Sequence, residues 1–187
     1  MLEVGGAHGR HRNGARIDDE SKMAVPYEIV PGSRVWFGGA GPTHVPDLLR
    51  PFTHVVNCES SFTSSSRDAQ MRHFLFLRSY DEEDFPILEL HFLTLNRYIQ
   101  QALQNPASAV YIHCYAGINR SATLAIAYAC HTTGRPAADL IEEVRRTTGR
   151  MVVENEGFYT QLTTQYPPAP RGSPVSAAVA PPAVPTV

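Results

Sequence analysis

Apolar residues recur along this chain with two different spacings, and the two alternate. Compact runs rich in β-branched and aromatic side chains read as strands: Arg34 to Gly39, Thr53 to Asn57, His73 to Arg78 and Ala109 to Ile112. Between them, apolar positions three to four apart predict helices. The longest opens at Pro86 and carries Leu88, Phe92, Leu95, Ile99 and Leu103 on one face. Asp84, two residues before that proline, reads as its N-cap. A short helix fits Pro46 to Leu49, with proline at a tolerated first position. Three more follow late in the chain: 119–133, stopped by Gly134; Pro136 to Arg146, turning Leu140, Ile141 and Val144 inward; and Gly157 to Tyr166. Strands alternating with helices predict an α/β fold, a single domain whose central, mostly parallel sheet is flanked by helices.

The pattern fades at both ends. Residues 1–25 are rich in Gly, His, Arg and Asp without an apolar period, and 167–187 are rich in Pro and Ala. Both read as disordered tails, which leaves 26–166 as the folded domain. Within 187 residues, 43% of them hydrophobic, one domain with a substantial core is expected. A net charge of −2 argues against nucleic acid as a partner, since electrostatic nucleic-acid binders are basic. No apolar run approaches a membrane span, and the N-terminus lacks the apolar core of a signal peptide. Three cysteines are too few for a disulfide scaffold and suit a reducing compartment, so a cytoplasmic or nuclear location is expected.

The chemistry concentrates in His113-Cys114-Tyr115-Ala116-Gly117-Ile118-Asn119-Arg120-Ser121. This segment lies between the strand ending at Ile112 and the helix that follows, so Cys114 stands in a tight loop ending at a helix N-terminus. Backbone N–H groups and the positive helix end make such a loop an anion site. Five residues separate Cys114 from Arg120 (120 − 114 − 1 = 5), enough for the loop to curl until the guanidinium faces the sulfur across a tetrahedral oxyanion. Arg suits this because its planar fork binds two phosphate oxygens at once. The phosphate would be held by the backbone of Tyr115, Ala116, Gly117, Ile118 and Asn119 together with Arg120. Helix end, loop amides and guanidinium all favour a thiolate, the nucleophilic form. Ser121 is placed to hydrogen-bond the sulfur. No cofactor and no metal are expected, because the positive charge comes from protein groups.

These residues resemble the cysteine-dependent protein phosphatases, and within them the dual-specificity phosphatases. The family pattern of His-Cys, five residues with a glycine, Arg, then Ser or Thr is met in full. Ser121-Ala122-Thr123-Leu124, Asn155-Glu156-Gly157-Phe158 and Thr53-His54-Val55-Val56-Asn57 are similar to other family segments, so the likeness spans roughly residues 27 to 166. It implies a phosphatase acting on phosphoproteins at phosphotyrosine and phosphoserine or phosphothreonine, through a phosphocysteine on Cys114. It implies His113 and Asn155 as supporting residues, His113 orienting the cysteine through backbone hydrogen bonds. It also implies an aspartate general acid some thirty residues upstream. Asp81, 33 residues before Cys114 (114 − 81 = 33), aligns best, with Glu82, Glu83 and Asp84 as competitors.

Several positions keep more than one reading. Tyr115 either shapes the pocket rim or packs beside it. Cys58, at the end of the strand 53–57, is either a small buried side chain or a redox partner of Cys114. Asn119-Arg120 is similar to the RNA 5′-phosphatase branch, although that branch continues Thr-Gly where this chain has Ser121-Ala122. Glu154 stands where relatives commonly have proline. An RNA 5′-phosphatase or other non-protein phosphatase, and a non-catalytic phospho-binding module, are the alternatives to a protein phosphatase.

Overall fold

The computed structural model describes residues 25–61 and 73–168; the two tails of the sequence reading lie, but for residues 25, 167 and 168, outside them. The strands are β1 (Tyr27–Glu28), β2 (Val35–Gly38), β3 (His54–Asn57), β4 (His73–Phe76) and β5 (Val110–His113). The helices are α1 (Pro46–Leu49), α2 (Ile87–Leu103), α3 (Arg120–Thr133), α4 (Ala137–Thr148) and α5 (Glu156–Gln165), with a 3-10 turn at Gly41–His44. One five-stranded sheet has the order β1-β2-β5-β3-β4. The pairs β2–β5, β5–β3 and β3–β4 are parallel, and only β1 runs antiparallel. The expected α/β architecture is what forms.

The sheet has two faces because side chains alternate along each strand. Val110 and Ile112 of β5, with Val35, Phe37 and Val56, face the main core under the helices. Tyr111 points the other way and stacks on Phe52 at 4.9 Å between ring centroids, in a smaller cluster with Leu49 and Val55. Helix α3 is the central pillar: every residue from Ser121 to Cys130 is buried, and α2, α4 and α5 pack around it. Four alanines in that run let neighbouring helices approach closely. Gly134 ends the helix in the left-handed conformation (φ 71°), its N–H bonded to Cys130 O.

Some boundaries differ from the sequence reading. Arg34 is not in β2, because it adopts a left-handed φ of 61° that breaks extended pairing. Asp84 does not cap α2: the N-cap position belongs to Pro86, and no side chain fills it. The reason lies in the preceding turn, closed by Phe85 N–H to Glu82 O, which turns Asp84 out into solvent. Pro86 and Pro136 sit just outside their helices, not inside them. The two-residue β1 is too short to leave a periodic signature.

Candidate active site

Parallel register brings Gly38, His113 and Asn57 into one row at the C-terminal edge of the sheet. Cys114 begins the next row, where its N–H reaches Gly38 O at 3.4 Å and Cys58 N–H reaches His113 O at 2.7 Å. Open α/β sheets place ligand sites at this edge. The loop from Cys114 to Asn119 is tight because Gly117 has a φ of 75° and lies against the neighbouring strand end. A Cβ there would stand 2.4 Å from Gly39 N and 2.5 Å from Gly38 C. Ala40 N–H to Tyr115 O (3.0 Å) fixes the opposite side of the loop. The glycine pair 38–39 therefore serves the loop, a function that its place at a strand end did not reveal.

Cys114 is buried at the floor of this loop. Its Sγ accepts from Gly117 N–H at 3.3 Å and lies 3.3 Å from Ser121 Oγ. The Ser121 hydroxyl also lies 3.0 Å from Gly38 O. With a single hydrogen it donates to Gly38 while the sulfur is a thiol and turns to the sulfur once that becomes a thiolate. Arg120, the first residue of α3, is 11% exposed and under-used. Its Nη1 has one long bond to Ser79 O (3.4 Å), and its Nε has no hydrogen bond although Asp81 Oδ2 is 3.7 Å away. A mostly buried guanidinium this short of acceptors has donors left over for an anion.

Of the four acidic residues at 81–84, Asp81 is the one that reaches Arg120. Asn155 Nδ2 donates to Asp81 Oδ1 at 3.1 Å, and Asn119 Nδ2 donates to Asp81 Oδ2 at 3.3 Å. Asn155 also caps α5, accepting Phe158 N–H at 3.1 Å. The acid loop is seated against the start of α5 at Gly157, where a Cβ would lie 1.7 Å from Glu83 O. No side chain fits between those two backbones.

His113 is buried, its ring stacked on Tyr111 at 5.9 Å, and its carbonyl receives the Cys58 N–H. Tyr115 is 78% exposed, so of its two readings the packed one is excluded. Cys58 is fully buried beside the Cys114 loop; burial first, and then Cys114, pushes its thiol well above the usual value. All three cysteines are free.

Residues 42–166 match the family described as dual specificity phosphatase, catalytic domain. Dual specificity protein phosphatase 13B of Mus musculus is 34% identical over 114 residues, 59% of this chain and 57% of that protein. Dual specificity protein phosphatase 26 of Homo sapiens is 30% identical over 113 residues, 59% of this chain and 52% of that one. The chain thus spans a little over half the length of these curated relatives. The crystal structure of DUSP15 shares the fold, with a TM-score of 0.65 at 24% identity over 74% of this chain and 85% of that one. The family match covers most of the chain and encloses the whole Cys114 loop together with Asp81 and Asn155: this chain belongs to the dual specificity phosphatases.

Proposed function

We propose that the chain is a protein phosphatase that hydrolyses phosphotyrosine as well as phosphoserine and phosphothreonine. The observation that carries this reading is the meeting of a loop N–H and the Ser121 hydroxyl at Cys114 Sγ, with an under-coordinated Arg120 closing the same loop and Asp81 beside that arginine. In the first step the Cys114 thiolate attacks phosphorus. The S–P bond forms, the P–O bond to the substrate breaks, and the leaving oxygen takes the proton of Asp81. In the second step water attacks the phosphocysteine. Asp81, now a carboxylate, takes the water proton, and the sulfur leaves with the Ser121 hydroxyl turned toward it. The Arg120 fork and the loop N–H groups hold the equatorial oxygens throughout.

The relatives, named as dual specificity protein phosphatases, support both substrate classes. Exposure of Tyr115 supports an open entrance that a short phosphoserine can enter. Three free buried cysteines support a reducing location, cytoplasmic or nuclear. The RNA 5′-phosphatase reading rested on Asn119 beside Arg120, and here the Asn119 carboxamide is bonded inside the protein. The deciding experiment offers wild type and Cys114→Ser a phosphotyrosine peptide, a phosphothreonine peptide and triphosphorylated RNA. Turnover of both peptides by wild type, lost in Cys114→Ser, is expected; release of phosphate from RNA alone would replace the protein-phosphatase reading.

A further inference from the structure

Asn119 occupies the N-cap position of α3, where asparagine ordinarily turns its side chain back onto the first turn of its own helix. It does not do so here. The carboxamide instead joins three segments distant in sequence. Its Oδ1 accepts two consecutive backbone N–H groups, Glu154 at 2.8 Å and Asn155 at 3.1 Å, and its Nδ2 donates to Asp81 Oδ2 at 3.3 Å.

The segment that supplies those N–H groups is strained to do it. Val153 adopts a φ of 56°, a left-handed conformation that a β-branched residue disfavours. It is held there by its N–H to Ile118 O (2.9 Å) and by Arg145, whose guanidinium donates to Val152 O (3.0 Å) and Val153 O (3.1 Å). The turn at Val153 is what lets two successive N–H groups converge on one oxygen. Asn155 then completes a ring, its own carboxamide taking Asp81 Oδ1. Each oxygen of Asp81 is thus gripped by a different asparagine, although the side chain is 36% exposed and rises from a loop.

We infer that Asn119 is a positioning residue for the general acid: it locks the Asp81 carboxyl to the phosphate loop and to the strained 153–155 turn. The inference rests on the function proposed above. Without this bridge Asp81 can swing away from the leaving oxygen while Cys114 and Arg120 keep their places. The loss must therefore fall on substrates whose leaving group needs a proton.

The test compares wild type, Asp81→Asn, Asn119→Ala and Asn119→Asp on a phosphothreonine peptide and on 4-nitrophenyl phosphate. Misplacing a catalytic group by an ångström costs up to about 10²-fold, so Asn119→Ala should lose on the order of 10- to 100-fold in kcat/KM on the peptide. The aryl ester, which hardly needs protonation, should lose less than about threefold. Asn119→Asp keeps an acceptor for Glu154 and Asn155 but turns an acceptor toward Asp81; it should show the same selective loss with a melting temperature near wild type, even if the alanine variant folds poorly. Equal losses on both substrates in Asn119→Asp, with selective loss in Asp81→Asn, would overturn the positioning role and leave the acid intact. If Asp81→Asn itself shows no selectivity, the acid assignment fails and this inference fails with it.

Discussion

Arg34 and Arg120 sit at opposite ends of the same mostly parallel sheet and are used in opposite ways. Arg34 precedes β2 and spends its guanidinium on four carbonyls, those of Leu103 (3.1 Å), Asn105 (2.9 Å), Pro106 (2.9 Å) and Ser108 (3.1 Å). It closes the C-terminus of α2, where carbonyls lack helical partners, onto the chain entering β5. Its own N–H goes to Glu28 Oε1 at 2.7 Å. Arg120 opens α3 at the other edge, with one long carbonyl bond and a carboxylate out of hydrogen-bond range. A guanidinium has five donors in a fixed fork. Held by several neutral oxygens, as at Arg34, it is a rivet; left short of them, as at Arg120, it can act as a receptor. Residue type does not separate the two, and coordination does.

The sharpest test of that difference is the substitution of each arginine in turn. Arg120→Ala should cost about 10²–10³-fold in kcat/KM on a phosphopeptide, the scale of losing a transition-state donor, with little change in melting. Arg34→Ala should leave kcat/KM of the folded protein near wild type and cost about 2 kcal/mol in denaturant unfolding, from several partly exposed bonds of about 0.5–1.5 kcal/mol each. An Arg34 variant that folds normally but has lost turnover would erase the distinction.

Asp81→Asn probes the receptor end further. It should cost roughly 10²-fold or more on phosphoserine and phosphothreonine peptides, and less on aryl phosphates with acidic leaving groups. The same pattern in Asp84→Asn would mean that the acid has been assigned to the wrong member of its loop.

The rivet end has a titration of its own. His54 and His73 stack at 4.3 Å between centroids with rings 11° apart, beside a cleft of about 500 Å3 that Gln101 and Asn105 also line. Burial first, and then His73, holds His54 below the ordinary histidine value. The unfolded chain therefore takes up this proton first as pH falls below about 6.5, and stability drops until the folded His54 also titrates. Melting temperature should accordingly fall between pH 7 and pH 5, and His73→Gln should flatten part of that fall. A His73→Gln profile superimposable on wild type would remove the histidine pair as its source.

The smallest expected effect concerns Cys58. Register brings it to the strand end beside Cys114, as a redox partner requires, and adjacent strands lie about 4.8 Å apart. Its thiol is held protonated by burial, however, and exchange proceeds through the thiolate. Peroxide should therefore oxidise Cys114 reversibly, with Cys58→Ala recovering on reduction as fully as wild type. A Cys58–Cys114 cross-link in the mass spectrum, with poorer recovery of the alanine variant, would establish the redox partnership instead.

What could be read from the sequence was what neighbours in sequence decide. The strand, loop and helix around Cys114 are contiguous, so the spacing from Cys114 to Arg120 and the glycine between them already specify an anion cradle, and the alternating periods specify a parallel α/β sheet. Ser121 follows from the same local geometry. Asp81 was reachable only through the family resemblance, which implies an acid some thirty residues before the cysteine, and Asp84 was misread because an aspartate just ahead of a helix satisfies a local capping rule. The turn at Glu82–Phe85 and the close packing of Gly157 on Glu83 override that rule across more than seventy residues of chain (157 − 83 = 74). Strand order, the service of Gly38 and Gly39 to the loop, the four carbonyls that hold Arg34 and the double grip of Asn119 and Asn155 on Asp81 belong to the tertiary structure alone. Each depends on which groups distant in sequence come within 3 Å or so of one another, the reach of a hydrogen bond, and no spacing along the chain encodes that distance.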